Sequence, residues 1–106
     1  MQFRRRLLAF LSTNTELGKD GINVTVVHPG VTVTEKTPGN LAERAGRAGV
    51  TTAEIERRLS AAVSIGRLVT AEEVANVVTF LASPRSAAVN GDAIAVGGGA
   101  PRAIVY

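Results

Sequence analysis

A chain of 106 residues with 45% hydrophobic and 20% charged positions has room for one domain or part of one, and is too apolar for disorder. The absence of cysteine excludes disulfides and cysteine-based metal sites, and no apolar run is long enough to cross a bilayer, which fits a cytoplasmic location without a membrane partner. The net charge is +3, and its only basic run is Arg4-Arg5-Arg6. With no aromatic platform nearby, that run reads as the solvated first turn of a helix rather than a nucleic-acid contact.

Leu7, Leu8, Leu11 and Leu17, with Phe10 beside them, form a helical stripe from Arg4 to Gly18, where the glycine is expected to stop the helix. The start also resembles a secretory leader, but Leu7 to Leu11 is shorter than the apolar segment of about 7–15 residues that a leader needs. A turn at Lys19-Asp20-Gly21 leads into Ile22 to His28, a β-branched run bounded by Gly21 and by Pro29-Gly30, which reads as a buried strand. Proline has no N–H for a ladder, so the strand stops there. Ligands in open α/β sheets sit beyond the carboxyl ends of strands, so the segment from Pro29 to Pro38 is the first place to expect a ligand.

Thr34 to Gly39 reads as loop on composition, and Asn40 to Gly49 as a weak helix with Asn40 as its N-cap. Thr51 and Glu54 have capping-box spacing, with Ile55, Leu59 and Val63 on one helical face behind them. Ile65 to Leu68 reads as a connector. Thr70 and Glu73 form a second capping box opening the clearest helix, with Val74, Val77, Val78 and Leu81 at amphipathic spacing and Ser83-Pro84 as its stop. After an Asn90-Gly91 turn, Ala93 to Val96 reads as a second strand running into Gly97-Gly98-Gly99.

Two short apolar strands separated by helices predict parallel pairing through a right-handed crossover, with Ala71 to Leu81 packed across both. Parallel sheets are normally larger and covered on both faces. The fold class is therefore α/β, the C-terminal part of a doubly wound parallel sheet in the order helix, strand, helices, helix, strand.

No catalytic constellation assembles from these residues, and no metal site is expected. His28 stands at a strand end where an acid/base group or ligand could work, but a histidine hydrogen-bonded to neighbouring backbone is the simpler reading. Tyr106 is the last residue and suits terminal packing or an interface. Glu72 and Glu73 suit the positive end of a helix dipole. Gly97 to Gly99 follows a strand but precedes Ala-Pro rather than a helix, so it lacks the context of a phosphate-binding loop.

Three segments resemble the C-terminal part of a bacterial short-chain dehydrogenase/reductase. Glu16 to Val24 with Val27-His28-Pro29-Gly30 resembles the family's helix, sixth strand and Pro-Gly. Gly66-Arg67-Leu68, Glu72 to Ala75 and Phe80 to Ser83 resemble its penultimate helix, and Asn90 to Gly98 its last strand. The resemblance implies a Rossmann-like fold, NAD or NADP as cofactor, hydride exchange with a small carbonyl or alcohol substrate, and a homo-oligomer. It puts the variable substrate lid at Lys36 to Ser64 within a single partial domain, 1–106.

By the same resemblance, the family's Pro-Gly-x-hydrophobic-x-Thr pattern lands on Pro29, Gly30, Thr32 and Thr34. The backbone near Thr32 would meet the nicotinamide carboxamide, and the Thr34 hydroxyl would contact the cofactor. Thr32 stands where the family carries Val or Ile, and the alternative role for Thr34 is capping the following turn. The family's Gly-rich turn, Ser and Tyr-x-x-x-Lys have no counterpart here; the pair would end near Phe3, where no Lys stands. A head of Met-Gln-Phe-Arg-Arg-Arg on a family tail suggests a shortened reading frame or a fragment, which alone is expected not to turn over substrate. The alternative function is a non-catalytic association module, pairing with itself or with a full-length relative. A nucleic-acid-binding module rests on Arg4 to Arg6 alone and is the weakest reading.

Overall fold

A computed structural model describes residues 2–101. Tyr106 lies outside the described residues, as do the side chains of Phe3, Arg4, Arg6, Leu7, Leu8, Phe10 and Leu11, which carry the expected stripe and most of the basic run. Arg5 is described and exposed.

Helix α1 spans Gln2–Leu17 and tightens into a 3-10 turn at Gly18–Asp20. The left-handed residue that ends it is Gly21, at φ 77°, and not Gly18. Strand β1 covers Val26–His28 and pairs in parallel with β4, Ala93–Ala95, in the register Val26 to Ala93, Val27 to Ile94 and His28 to Ala95. The expected strand was longer at its start, from Ile22. There the Val24 N–H donates to the Asn90 side chain at 2.8 Å and the Val24 carbonyl accepts from Gly91 N–H at 2.9 Å. A side chain thus takes the place of a ladder partner, and regular pairing begins only at Val26.

Two further strands, β2 at Thr32–Val33 and β3 at Val69–Thr70, pair in parallel as a separate small sheet. Neither was expected: β2 lies in the Pro29 to Pro38 segment, and β3 extends the predicted connector. Helix α2, Thr37–Ala48, begins earlier than predicted. Its N-cap is Lys36, without a side-chain cap, so Asn40 lies inside the helix and Pro38 occupies the first turn, where its missing N–H costs nothing. Gly49 closes α2 at φ 67°, and α3 follows at Thr52–Ala61 with the Thr51 hydroxyl accepting from Glu54 N–H.

The core lies between these two helices. Leu41 and Ala45 on α2 meet Ile55 on α3, with Val50 and Leu59 packed around them. Both pairs, Leu41/Ala45 and Ile55/Leu59, are spaced i, i+4, which puts them on facing stripes.

Helix α4 spans Ala71–Leu81, as predicted, with both halves of the Thr70/Glu73 capping box formed. It does not make the expected cover over β1 and β4. Its main neighbours are β3 and the 3-10 turn Pro84–Ser86, and no residue of α4 is buried. The α/β class and the parallel β1–β4 pairing hold, so the structure is a partial doubly wound sheet.

Candidate functional site

Strands β1 and β4 end side by side, and their carboxyl ends run into two loops that touch. The His28 carbonyl accepts from Val96 N–H at 2.9 Å, so pairing continues to the end of β1. His28 itself is half-buried within this pairing. Pro29 then ends the strand, and Gly30 takes φ +67°. A methyl group on Gly30 would stand 3.1 Å from the Gly97 Cα. Glycine is therefore required at residue 30 for both its conformation and the close approach of the two loops.

Beyond Gly30, the β2–β3 pairing pins Thr32 and Val33 to the segment that precedes α4. That segment is itself clamped. The Arg67 guanidinium donates to both Glu73 carboxylate oxygens at 2.7 and 2.8 Å, and Glu73 also accepts from Thr70 N–H at 3.0 Å. The Arg67 hydrogen bonds, then the Thr70 N–H, hold the Glu73 carboxyl down at about 2. The α4 cap thus holds β3, and β3 holds the loop that follows β1.

Thr34 opens a tight turn into α2. Its N–H donates to Thr37 Oγ1 at 2.8 Å, its carbonyl accepts from Thr37 N–H at 3.0 Å, and its hydroxyl accepts from Lys36 N–H at 3.2 Å. The turn-capping role is therefore present. An accepting hydroxyl still has its own proton to give, and among the described residues the Thr34 hydroxyl donates to none. Among the described residues the Thr32 hydroxyl reaches the Pro29 and Gly30 carbonyls alone, at 3.4 and 3.5 Å, too long for strong O–H···O bonds.

Pro29, Gly30, Thr32 and Thr34 thus share one loop, but the two threonines open onto different grooves. Thr34 lines a groove of about 540 Å³ with Val33, Pro38 and Glu56, and Thr32 lines one of about 330 Å³ with Asn40, Arg44 and Leu68. Thr37 and Leu41 line both.

The glycine triplet after β4 packs rather than cradles. The Gly98 carbonyl accepts from Ile65 N–H at 3.1 Å and from the Ser64 hydroxyl at 3.2 Å. A methyl group on Gly98 would come within 2.9 Å of Ile65, and one on Gly99 would overlap Ser64 Oγ. These glycines hold the segment before β3 against the end of β4.

A family profile described as enoyl-(acyl carrier protein) reductase matches residues 9–101. The chain belongs to the short-chain dehydrogenase/reductase family. It is 37% identical over 103 residues to an uncharacterized oxidoreductase, YvaG, of Bacillus subtilis, covering 93% of this chain and 37% of that protein. It is 36% identical to the L-rhamnose 1-dehydrogenase (NAD(P)(+)) of a Sphingomonas species, covering 83% of this chain and 31% of the relative. Among solved structures, the L-sorbose reductase of Gluconobacter frateurii, complexed with NADPH and L-sorbose, aligns with a TM-score of 0.79 at 27% identity. That alignment covers 91% of this chain and 37% of the reductase. The chain spans about a third of the length of the family members it matches.

Gly97 and Arg67 both position the loop from Pro29 to Thr34, and neither carries a sequence signal for that role. The contiguous Pro-Gly was visible, whereas the partnership with Gly97 crosses 67 positions and has no local signal. Thr37, three residues after Thr34, did carry a signal, because hydroxyls at that spacing commonly cap turns.

Proposed function

We propose that this chain supplies the nicotinamide-side loop and the substrate-side helices of an NAD(P)-dependent short-chain oxidoreductase. One observation carries the reading: the loop Pro29 to Thr34 is pinned at the carboxyl end of β1, against Gly97, and ends in a hydroxyl whose proton is available to donate. The carboxyl end of a parallel strand is where doubly wound folds bind ligands.

In this proposal Pro29 and Gly30 shape the turn, the backbone at Thr32 takes the nicotinamide carboxamide, and the Thr34 hydroxyl donates to the cofactor. When bound, the cofactor supplies the hydride that converts a carbonyl to an alcohol, or accepts it in reverse. The segment Lys36 to Ser64, which holds α2 and α3, acts as the substrate lid of a single partial domain, 1–106. None of these residues is assigned the transfer of the substrate proton, and no metal takes part.

The test is amide chemical-shift mapping of the purified chain with reduced nicotinamide mononucleotide. Saturable shifts confined to Gly30 to Thr34 are expected, with millimolar affinity, about 4 kcal/mol. Thr34→Ala should weaken binding severalfold while Thr34→Ser retains it. Shifts scattered elsewhere, or a Thr34→Ala variant that binds equally well, would overturn the assignment.

A second reading, an association module that pairs with itself or a full-length relative, is favoured by the open edge of β1 and the uncovered face of α4. It is compatible with the first, since the family fold places more chain around both. Homo-oligomerisation is part of this proposal.

A further inference from the structure

We infer that the groove between the Pro-Gly loop and α2 takes a small apolar molecule ending in a carboxylate, held by Arg44. This deepens the oxidoreductase reading by naming a substrate class, and it rests on that reading for the word substrate.

The groove has two chemically distinct parts. Val31, Leu41, Leu59 and Leu68 supply apolar wall, of which Leu41 and Leu68 are 9% and 7% exposed and firmly packed. Its volume of about 330 Å³ lies at the small end of the usual range for ligand pockets, roughly 300–1,000 Å³. Val31, 45% exposed between Gly30 and Thr32, leaves apolar surface open on the loop side. An apolar body of a few carbons fits such a wall.

The other part is cationic. Arg44, Arg47 and Glu43 line the same groove, together with Thr32, Thr37 and Asn40. Arg47 is paired with Glu43 one helical turn away, which cancels both charges locally. Arg57 and Arg58 are bound to Glu54, and Arg67 to Glu73. Arg44 differs from these: no ion pair joins it to a carboxylate among the described residues, although it lines the same groove as the apolar wall.

Two arginines against one glutamate leave a single net positive charge at the groove. That balance matches a monoanion better than a doubly charged phosphate. A guanidinium presents a planar pair of donors matched to the two oxygens of a carboxylate. With an apolar body on Leu41 and Leu68 and its carboxylate on Arg44, such a molecule lies beside Thr32, which the oxidoreductase reading puts at the nicotinamide end. Two relatives of this chain act, by their names, on neutral sugars, L-rhamnose and L-sorbose. An acid-bearing substrate would set this chain apart from them.

The experiment needs no cofactor, so it stands or falls separately from the nicotinamide test. The intact 106-residue chain is titrated with hexanoate, hexanol and hexyltrimethylammonium, and amide shifts are followed at residues 31, 32 and 40–47. Hexanoate should bind about fivefold more tightly than hexanol, the size of one exposed charge contact, and the cation most weakly. Raising the salt to about 0.5 M should erase much of the preference, since an exposed pair is screened. Arg44→Met should equalise hexanoate and hexanol, whereas Arg47→Met, which releases Glu43, should weaken hexanoate without lowering hexanol. Equal binding of hexanoate and hexanol to the unmodified chain, or no binding of either, overturns the proposal whatever the variants do. An Arg44→Met chain that keeps the hexanoate preference overturns it too. If hexanoate binds as expected while reduced nicotinamide mononucleotide does not touch Thr34, the oxidoreductase reading fails and the carboxylate site remains.

Discussion

At Gly30 two constraints coincide: a backbone at φ +67° and a neighbour, the Gly97 Cα, 3.1 Å from where a Cβ would stand. A left-handed alanine alone costs about 1–2 kcal/mol, and the contact adds to it because the neighbour is backbone and cannot rotate away. Gly30→Ala should therefore lower stability in urea unfolding by about 2 kcal/mol. Gly46→Ala is the control, since it sits inside α2 with open space around it and should be neutral or stabilising. Equal effects at both positions would show that the loop relaxes around the methyl group. Charge sets a second dependence at this scale. Hydrogen bonds from Arg67 and from Arg57 hold Glu73 and Glu54 at about 2, below their ordinary 4.5. Groups depressed in the folded state stabilise it above their unfolded value, and the contribution disappears as pH falls through the folded one. The melting temperature should therefore drop between pH 4.5 and about 2, and Glu54→Gln with Glu73→Gln should flatten that drop. Calorimetry that shows the same slope in the double variant would contradict this.

Helix caps give a direct comparison at the level of elements. Thr70 has both capping-box bonds, while Thr51 shows only the hydroxyl accepting from Glu54 N–H. Thr70→Ala leaves the backbone N–H bond to Glu73 in place but removes two hydroxyl bonds, the one accepted from Glu73 N–H and the one donated to its carboxylate. It should cost about 1 kcal/mol, whereas Thr51→Ala removes one such bond and should cost about half of that. The same elements show what the sequence made legible. Helix α4 was readable because cap, apolar spacing and stop all agree within a dozen residues. The first strand is shorter than its sequence suggests because Ile22 to Thr25 has strand chemistry, yet Asn90 bonds the Val24 amide and no ladder forms there. The opposite error occurred at α2, where Thr-Pro-Gly looks like loop although proline is tolerated in a first helical turn. Strands β2 and β3 are two residues each and exist only through pairing across the intervening helices α2 and α3, so no local periodicity announces them. The site divides the same way. The candidates Pro29, Gly30, Thr32 and Thr34 fall within six consecutive positions, where a sequence motif can show, while Gly97, Arg44 and Leu68 come near that loop by tertiary packing alone.

For the molecule as a whole, surface area is the informative quantity. The accessible surface is 7434 Å², whereas a compact monomer of 11.0 kDa has about 5,600 Å² by the size scaling of folded proteins. The radius of gyration, 16.6 Å, likewise exceeds the roughly 13 Å of a compact domain this long. No side chain among the described residues is fully buried, and Ile22, Val78 and Phe80 are nearly half exposed. The sheet is open as well. β1 bonds β4 through alternate residues, with Val26 N–H donating to the Asp92 carbonyl at 3.0 Å and the His28 carbonyl accepting from Val96 N–H at 2.9 Å. Parallel alternation then turns the Val27 N–H and carbonyl toward the edge that lacks a strand among the described residues. Exposed apolar side chains and a free edge both favour association, and the excess of about 1,800 Å² is ample for a stable interface, which takes roughly 800 Å² per partner. The purified chain should therefore scatter light as a dimer or larger species at tens of micromolar, in the concentration range where such surfaces associate. Val78→Glu or Phe80→Glu should shift it toward monomer without lowering its melting temperature, because neither side chain contributes to the core between α2 and α3. A monodisperse monomer of the unmodified chain would show that the open edge and α4 are tolerated in water. An unchanged mass in both glutamate variants would instead place the contact on the β1 edge, away from α4.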